Sequence, residues 1–101
     1  MNHTTHWTVP VDHPAFAGHF PGTPIFPGVL LLDIVLHAIT AATGIALDFC
    51  EISSVKFLNP ASPGDELVIH HTALVNGTIR FDIMVGMRKI ASGSILIKSP
   101  L

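Results

Sequence analysis

The chain has 101 residues, of which 49% are hydrophobic and 12% are charged, and its formal net charge is −2. This length predicts one domain over residues 1–101, and so few charges predict that a partner subunit covers part of its apolar surface. The charge excludes the basic field that nucleic-acid binding needs. With no pattern of a secretory leader and no uncharged stretch of membrane-spanning length, the sequence predicts a cytoplasmic location without membrane insertion.

The first third of the chain combines a weak strand pattern with a proline-rich loop. Alternation over Thr5–Val11 predicts a strand, and the loop His13–Pro27 that follows contains four of the eight prolines. Because proline fixes φ and has no N–H to donate, this density excludes a helix or a central strand. We therefore expect a rigid, irregular path.

A helix is predicted over Val29–Thr43, with Pro27 suited to its first turn and Gly44 to the left-handed position after its end. Nearly all of its residues are apolar, so we expect it to be buried on most sides. Its polar residues and its cap fall on one face: Asp33, His37, Thr40 and Gly44.

Beyond Gly44 the apolar residues alternate with period two, which predicts strands. Asn76-Gly77 is a strong signal for a type I′ hairpin turn between two of them. One long helix with an antiparallel sheet is an α+β fold. The predicted strands are Glu51–Phe57, Glu66–Val75, Thr78–Met87 and Ile90–Lys98.

Two titratable groups are candidates for acid–base chemistry. His19 lies in the proline-braced loop, which would give a general base the fixed position it needs; the alternative is a histidine bonded to a nearby carbonyl. Asp33 lies in an apolar helix, where a carboxylate is costly unless it is paired. It is therefore a candidate general acid, and the alternative is an ion pair with His37 one turn away.

The third candidate group is the backbone amide of Gly28. The first amides of a helix have no acceptor within the helix, and they carry the positive end of its dipole. Gly28 has no side chain to keep a substrate carbonyl away, and about 7.5 Å of helix separates it from Asp33. This spacing suits a three-carbon unit with a carbonyl at one end and a departing hydroxyl at the other.

The run from His19 to Asp33 reads His-Phe-Pro-Gly-x-Pro-Ile-x-Pro-Gly-Val-Leu and then, after two further residues, an acid. It resembles the signature of the β-hydroxyacyl-acyl carrier protein dehydratases. Two later stretches, Val55–Pro60 and Pro63–Leu67, are similar to the strand and turn that follow the helix in that family. The resemblance implies a hot-dog fold, in which an antiparallel sheet wraps one central helix.

The resemblance also implies a dimer with two tunnels, where the base matching His19 and the acid matching Asp33 come from different subunits. His19 would remove the α-proton of a 3-hydroxyacyl thioester on an acyl carrier protein. The Gly28 amide would bind the thioester carbonyl, and Asp33 would protonate the departing hydroxyl. The carbonyl of Ile25 would orient His19. No metal or cofactor is implied.

To act as an acid, Asp33 must be protonated, and we expect desolvation by the apolar residues Val29, Leu30 and Leu32 to favour that form. The remaining implied roles are in the tunnel lining, where Phe26 stands at a position that is usually Met and either narrows the tunnel or only fills space. The expected lining residues are Phe20, Phe26 and Val29.

Two departures from the family leave the reaction and the assembly open. Asp33 replaces the more common Glu, as in a subgroup that also isomerises the product. The short start of the chain is similar to dehydratases of specialised pathways such as aryl polyene synthesis, some of which are heterodimers. The alternatives are a hot-dog thioesterase and a non-catalytic partner subunit.

The seven histidines do not form a metal-binding pattern, since His70 and His71 on a strand should point to opposite faces. Arg88-Lys89 at a predicted hairpin turn is the best candidate docking patch for an acidic carrier protein. The alternative is a pair of ordinary solvated turn residues.

Overall fold

The computed structural model describes residues 3–12, 27–45, 47 and 50–97. The elements follow the order predicted from the alternation of apolar residues, and their bounds differ from the predicted ones by up to four residues. They are β1 (His3–Thr8), α1 (Gly28–Thr43), β2 (Cys50–Phe57), β3 (Glu66–His71), β4 (Thr78–Val85) and β5 (Arg88–Ile97).

The five strands form one antiparallel sheet in the order β1-β3-β4-β5-β2. β1 and β2 are therefore the two edge strands among the described residues. Alternate residues of the central strands are buried against α1, which matches the period-two pattern of the sequence. The helix contributes Leu31, Val35, Ala38 and Ile39 to this core.

The prediction that α1 is buried on most sides is wrong for the single chain. Its buried residues lie on one face, which packs on the sheet, whereas Val29 is 72% exposed on the other. A sheet covers only the side of a helix that packs on it, so the outer face of α1 is exposed in the single chain. No helix in the described parts of the chain is long and apolar enough to cross a membrane.

Local turn chemistry accounts for the ends of α1 and for one hairpin. Gly44 follows the helix with φ 75°, and its amide donates to the Thr40 carbonyl at 2.8 Å. Asn76 and Gly77 have φ of 53° and 75°, as a type I′ turn requires, between the paired residues Val75 and Thr78. Both predictions are confirmed.

The predicted strand Glu66–Val75 is too long, because β3 ends at His71. The Thr72 hydroxyl accepts the Arg80 amide at 3.0 Å and so replaces a backbone carbonyl at the ladder's next step. Threonine side chains compete with the ladder in this way. Val75 pairs again only at the turn.

His70 and His71 point to opposite faces of β3, as predicted: His70 is exposed and His71 is 2% exposed. Neither ring nitrogen of His71 has a hydrogen-bond partner among the described residues. Its ring stacks on that of His3 in β1, with centroids 5.0 Å apart. Desolvation, and secondarily the charge of His3, lower the pKa of His71 below its usual 6.5.

Candidate active site

The start of α1 presents backbone donors that have no acceptor in the part of the chain that the structure describes. Pro27 is the extended residue before the helix, and its carbonyl accepts the amides of Leu30 and Leu31 at 3.1 and 3.2 Å. Among the described residues, the amides of Gly28 and Val29 have no acceptor. They lie at the positive end of the helix dipole, where a developing negative charge is stabilised.

Gly28 packs directly against an aromatic ring. A Cβ at position 28 would lie 2.8 Å from Cζ and 2.9 Å from Cε1 of Phe57, the last residue of β2. Such distances are shorter than any ordinary contact, so only glycine fits while the ring is in place. The sequence suggested that glycine keeps the approach of a substrate open. The structure adds that the ring of Phe57 occupies the space where a side chain would lie.

A groove of about 410 Å³ begins at this contact and follows the segment after β2. Most of its lining side chains are apolar, and its size falls in the range of small-molecule sites. Its lining residues are Gly28, Leu31, Phe57, Leu58, Asn59, Pro60 and Ala61.

Asp33 lies on the outer face of α1, away from this groove. Its Oδ2 is 3.6 Å from Nε2 of His37, and the two side chains are 64% and 79% exposed. The pairing that the sequence left as an alternative is therefore present. Thr40 and Gly44 are exposed on the same face, as predicted.

The expected desolvation of Asp33 by its helix neighbours does not occur within the single chain. Val29, one turn earlier, is itself exposed on the same face, and Leu30 and Leu32 project to the sides of the helix, where both are partly buried. A carboxylate that is to be held protonated would need a surface that covers it and excludes water, and the described helix neighbours of Asp33 do not supply one.

His19, Phe20, Ile25 and Phe26 lie outside the described residues, and their assigned roles stay predictions. Of the predicted site residues, Gly28, Val29 and Asp33 are all on the first two turns of α1. Among the described residues, no three His, Cys, Asp or Glu side chains are grouped to hold a metal ion.

The candidate docking pair Arg88 and Lys89 begins β5 and is not in the turn, which is formed by Gly86 and Met87. Arg88 lies 3.5 Å from the Asp65 carboxylate, and Lys89 lies 3.3 Å from that of Asp82. Each charge is thus partly balanced within the chain.

The sequence interpretation did not assign a role to Phe57. The residue lies in the stretch Val55–Pro60, which was used only as a sign of the family. A phenylalanine at the end of an edge strand carries no local signal of contact with a glycine 29 positions earlier. The one sequence signal was the glycine itself: a glycine in the first turn of a helix indicates that another group packs closely against its backbone.

The chain matches the ApeI dehydratase family over residues 1–94 and belongs to it. The 3-hydroxyacyl-[acyl-carrier-protein] dehydratase FabZ of Chlamydia trachomatis serovar L2 is 41% identical over 70 aligned positions, which cover 60% of this chain and 46% of that protein. The chain thus spans about half the length of the curated relatives it matches.

Solved structures show the same fold. The dehydratase heterocomplex ApeI:P from Xenorhabdus doucetiae superposes with a TM-score of 0.84 at 24% identity, covering 97% of this chain and 88% of the other. An uncharacterised protein from Erwinia carotovora subsp. atroseptica superposes with a TM-score of 0.81 at 30% identity, covering 98% and 84%. The predicted hot-dog α+β fold is confirmed.

Proposed function

We propose that this chain removes water from 3-hydroxyacyl thioesters on an acyl carrier protein and forms 2-enoyl thioesters. The observation that carries the proposal is the start of α1. In a chain of a dehydratase family, it holds the amides of Gly28 and Val29, which have no acceptor among the described residues, and the carboxylate of Asp33 farther along the same helix. The similarity of this chain to the FabZ 3-hydroxyacyl-[acyl-carrier-protein] dehydratases supports acyl-carrier-protein thioesters as the substrate class.

In the proposed mechanism, His19 removes the α-proton and the thioester carbonyl becomes an enolate oxygen. The Gly28 amide stabilises that negative charge, and Asp33 donates its proton to the hydroxyl, which leaves as water. The Ile25 carbonyl would fix the tautomer of His19. Phe20, Phe26 and Val29 would line the tunnel. His19 then releases the proton that it removed and Asp33 regains one, by exchange with water, so both groups return to their starting forms; no metal or cofactor takes part.

We further propose that two subunits complete each site. The exposed outer face of α1 carries Val29 beside Asp33, and a second subunit that covers this face would exclude water from the carboxylate. The edge strand β2 ends at Phe57, beside Gly28, so a subunit paired along that edge would lie next to the site. We favour a homodimer. The heterocomplex of the Xenorhabdus protein makes a related second subunit the alternative. A cytoplasmic location stays a prediction.

The activity is tested with 3-hydroxyacyl-carrier substrates of graded chain length, following the enoyl product by mass spectrometry. We expect His19→Ala and Asp33→Asn each to lower the rate by about 10²-fold or more, as for the loss of a general base or acid. His70→Ala and Asp82→Asn change a histidine and a carboxylate on the sheet and serve as controls. Release of free thiol without enoyl product would support a thioesterase instead.

Sites that are built from two subunits can be recognised by recovery of activity when two inactive variants are co-expressed. When His19→Ala and Asp33→Asn chains are co-expressed, each mixed dimer would hold one site with both residues intact. Random pairing would therefore restore roughly a quarter of wild-type activity. No recovery would place both residues of a site in one chain. A chain that is monomeric alone and binds a related subunit would support the heterodimer.

A further inference from the structure

The feature with no assigned role in the proposed mechanism is the ring of Phe57. Phe57 is 51% exposed and lies outside the buried core. Its ring nevertheless lies so close to Gly28 that a Cβ at position 28 would be only 2.8 Å from Cζ. The residue thus lines the groove and is partly exposed, and its ring also lies against the backbone of Gly28, whose amide would bind the thioester.

The backbone around Phe57 is fixed by β5. Phe57 pairs with Ala91 at the end of the β2–β5 ladder, and the next amide, that of Leu58, donates to the Ile90 carbonyl at 2.8 Å. Asn59 adds two bonds, from its amide to the same carbonyl at 3.2 Å and from its Nδ2 to the Lys89 carbonyl at 2.7 Å. The ring is therefore mounted on the sheet and not on a free loop.

The contact between the Phe57 ring and Gly28 therefore connects the sheet to the first turn of α1. The amides of Gly28 and Val29 have no acceptor among the described residues, and Pro27 at the N-cap makes no side-chain bond to the first turn. The ring of Phe57 packs against the Gly28 backbone, which has no side chain to keep it away. We therefore expect the position of the Gly28 amide to depend on the ring. An amide that stabilises an oxyanion must hold its position to within a fraction of an ångström.

We propose that Phe57 is the positioning residue for the Gly28 amide, and that its ring forms one wall of the thioester site. This inference rests on the proposed dehydratase function. Phe57 does not touch the reacting atoms in this scheme; it acts through Gly28. Its effect therefore belongs to the transition state, where the charge on the thioester oxygen develops.

The test compares the steady-state kinetics of Phe57→Ala, Phe57→Tyr and Leu74→Ala. Leu74 is the matched control, because it is a large apolar side chain with 42% exposure that does not line the groove. We expect Phe57→Ala to lower kcat by about 10- to 100-fold with little change in KM, since the lost interaction is made in the transition state. Phe57→Tyr keeps the ring and should stay within about twofold of wild type.

The kinetic pattern separates a positioning role from a structural or binding one. A raised KM with unchanged kcat would make Phe57 a binding wall only and overturn the positioning role. An equal fall in kcat for Leu74→Ala, or no rescue by tyrosine, would also overturn it. If Phe57→Ala does not fold, Phe57→Leu replaces it, because leucine keeps apolar packing without the ring.

The failure of this inference is distinguishable from failure of the proposed function. Wild-type protein that forms no enoyl thioester would reject the proposed function, and with it this role of Phe57. An active wild type whose Phe57→Ala variant keeps full kcat would reject the role alone.

Discussion

Replacing Gly28 by alanine tests the central contact of the site without any assay of activity. The added Cβ would lie 2.8 Å from the ring of Phe57, whose backbone is held by β5. Either the ring must turn toward solvent or the first turn of α1 must move. Removing the ring as well, in the double variant with Phe57→Ala, takes away the clashing atoms.

Two opposing effects set the size of the change. Overpacking of this kind costs about 1–3 kcal/mol, whereas alanine favours a helix over glycine by up to about 1 kcal/mol. Gly28→Ala should therefore lower the free energy of unfolding by about 1–2 kcal/mol when Phe57 is present. In the Phe57→Ala background the same substitution should be neutral or stabilising by up to about 1 kcal/mol. The coupling between the two positions is then about 1–3 kcal/mol.

Thermal or urea unfolding of the four proteins measures this coupling. For a chain of this size, 1 kcal/mol corresponds to about 4–8 °C in Tm, so the effect is well resolved. The protein concentration must be equal in all samples, because subunit assembly changes the apparent stability. The contact is refuted if Gly28→Ala leaves wild-type stability unchanged, or if its effect is the same with and without the ring.

Three further predictions concern the sheet. Because the folded state favours neutral His71, the unfolded chain binds more protons just below pH 6.5. The free energy of unfolding should thus fall as the pH drops below 6.5 and level off below the folded-state pKa, and pH-dependent unfolding of His71→Leu should show a weaker slope. Gly77→Ala places a Cβ at φ 75° and should cost about 1–2 kcal/mol in urea unfolding; no loss would contradict the turn geometry. Asp65→Ala removes the acceptor of the Ser62 amide at 2.8 Å and should cost about 1–2 kcal/mol, with retained stability counting against that bond.

The sequence predicted those features that depend on a few neighbouring residues. Proline before α1, glycine after it and Asn76-Gly77 between strands each constrain the backbone within one or two residues, so their outcome follows from local chemistry. The alternation of apolar residues fixed which face of each strand is buried, including the opposite directions of His70 and His71. The fold class followed from these elements and from the family signature.

What the sequence did not predict depends on contacts between distant segments. The end of β3 depends on a hydroxyl of Thr72 that bonds across the sheet to Arg80. The exposure of Asp33 depends on whether another surface covers α1, and an apolar helix looks the same in sequence whether its own sheet or a partner buries it. The contact between Phe57 and Gly28 joins two elements that are far apart in the chain.

The spacing of the groups in the proposed site and the surroundings of those groups have different origins. Gly28 and Asp33 share one helix, so their spacing is set by helical geometry and needs no tertiary contact. The environment of each, however, is supplied from elsewhere: the ring of Phe57 lies on Gly28, and the face that carries Asp33 is open. Since β2 holds Phe57 and is an edge strand among the described residues, a subunit bound along that edge would brace the strand that positions the amide. A subunit that excludes water from Asp33 would have to cover the outer face of α1, so the two groups would depend on two different surfaces of the chain.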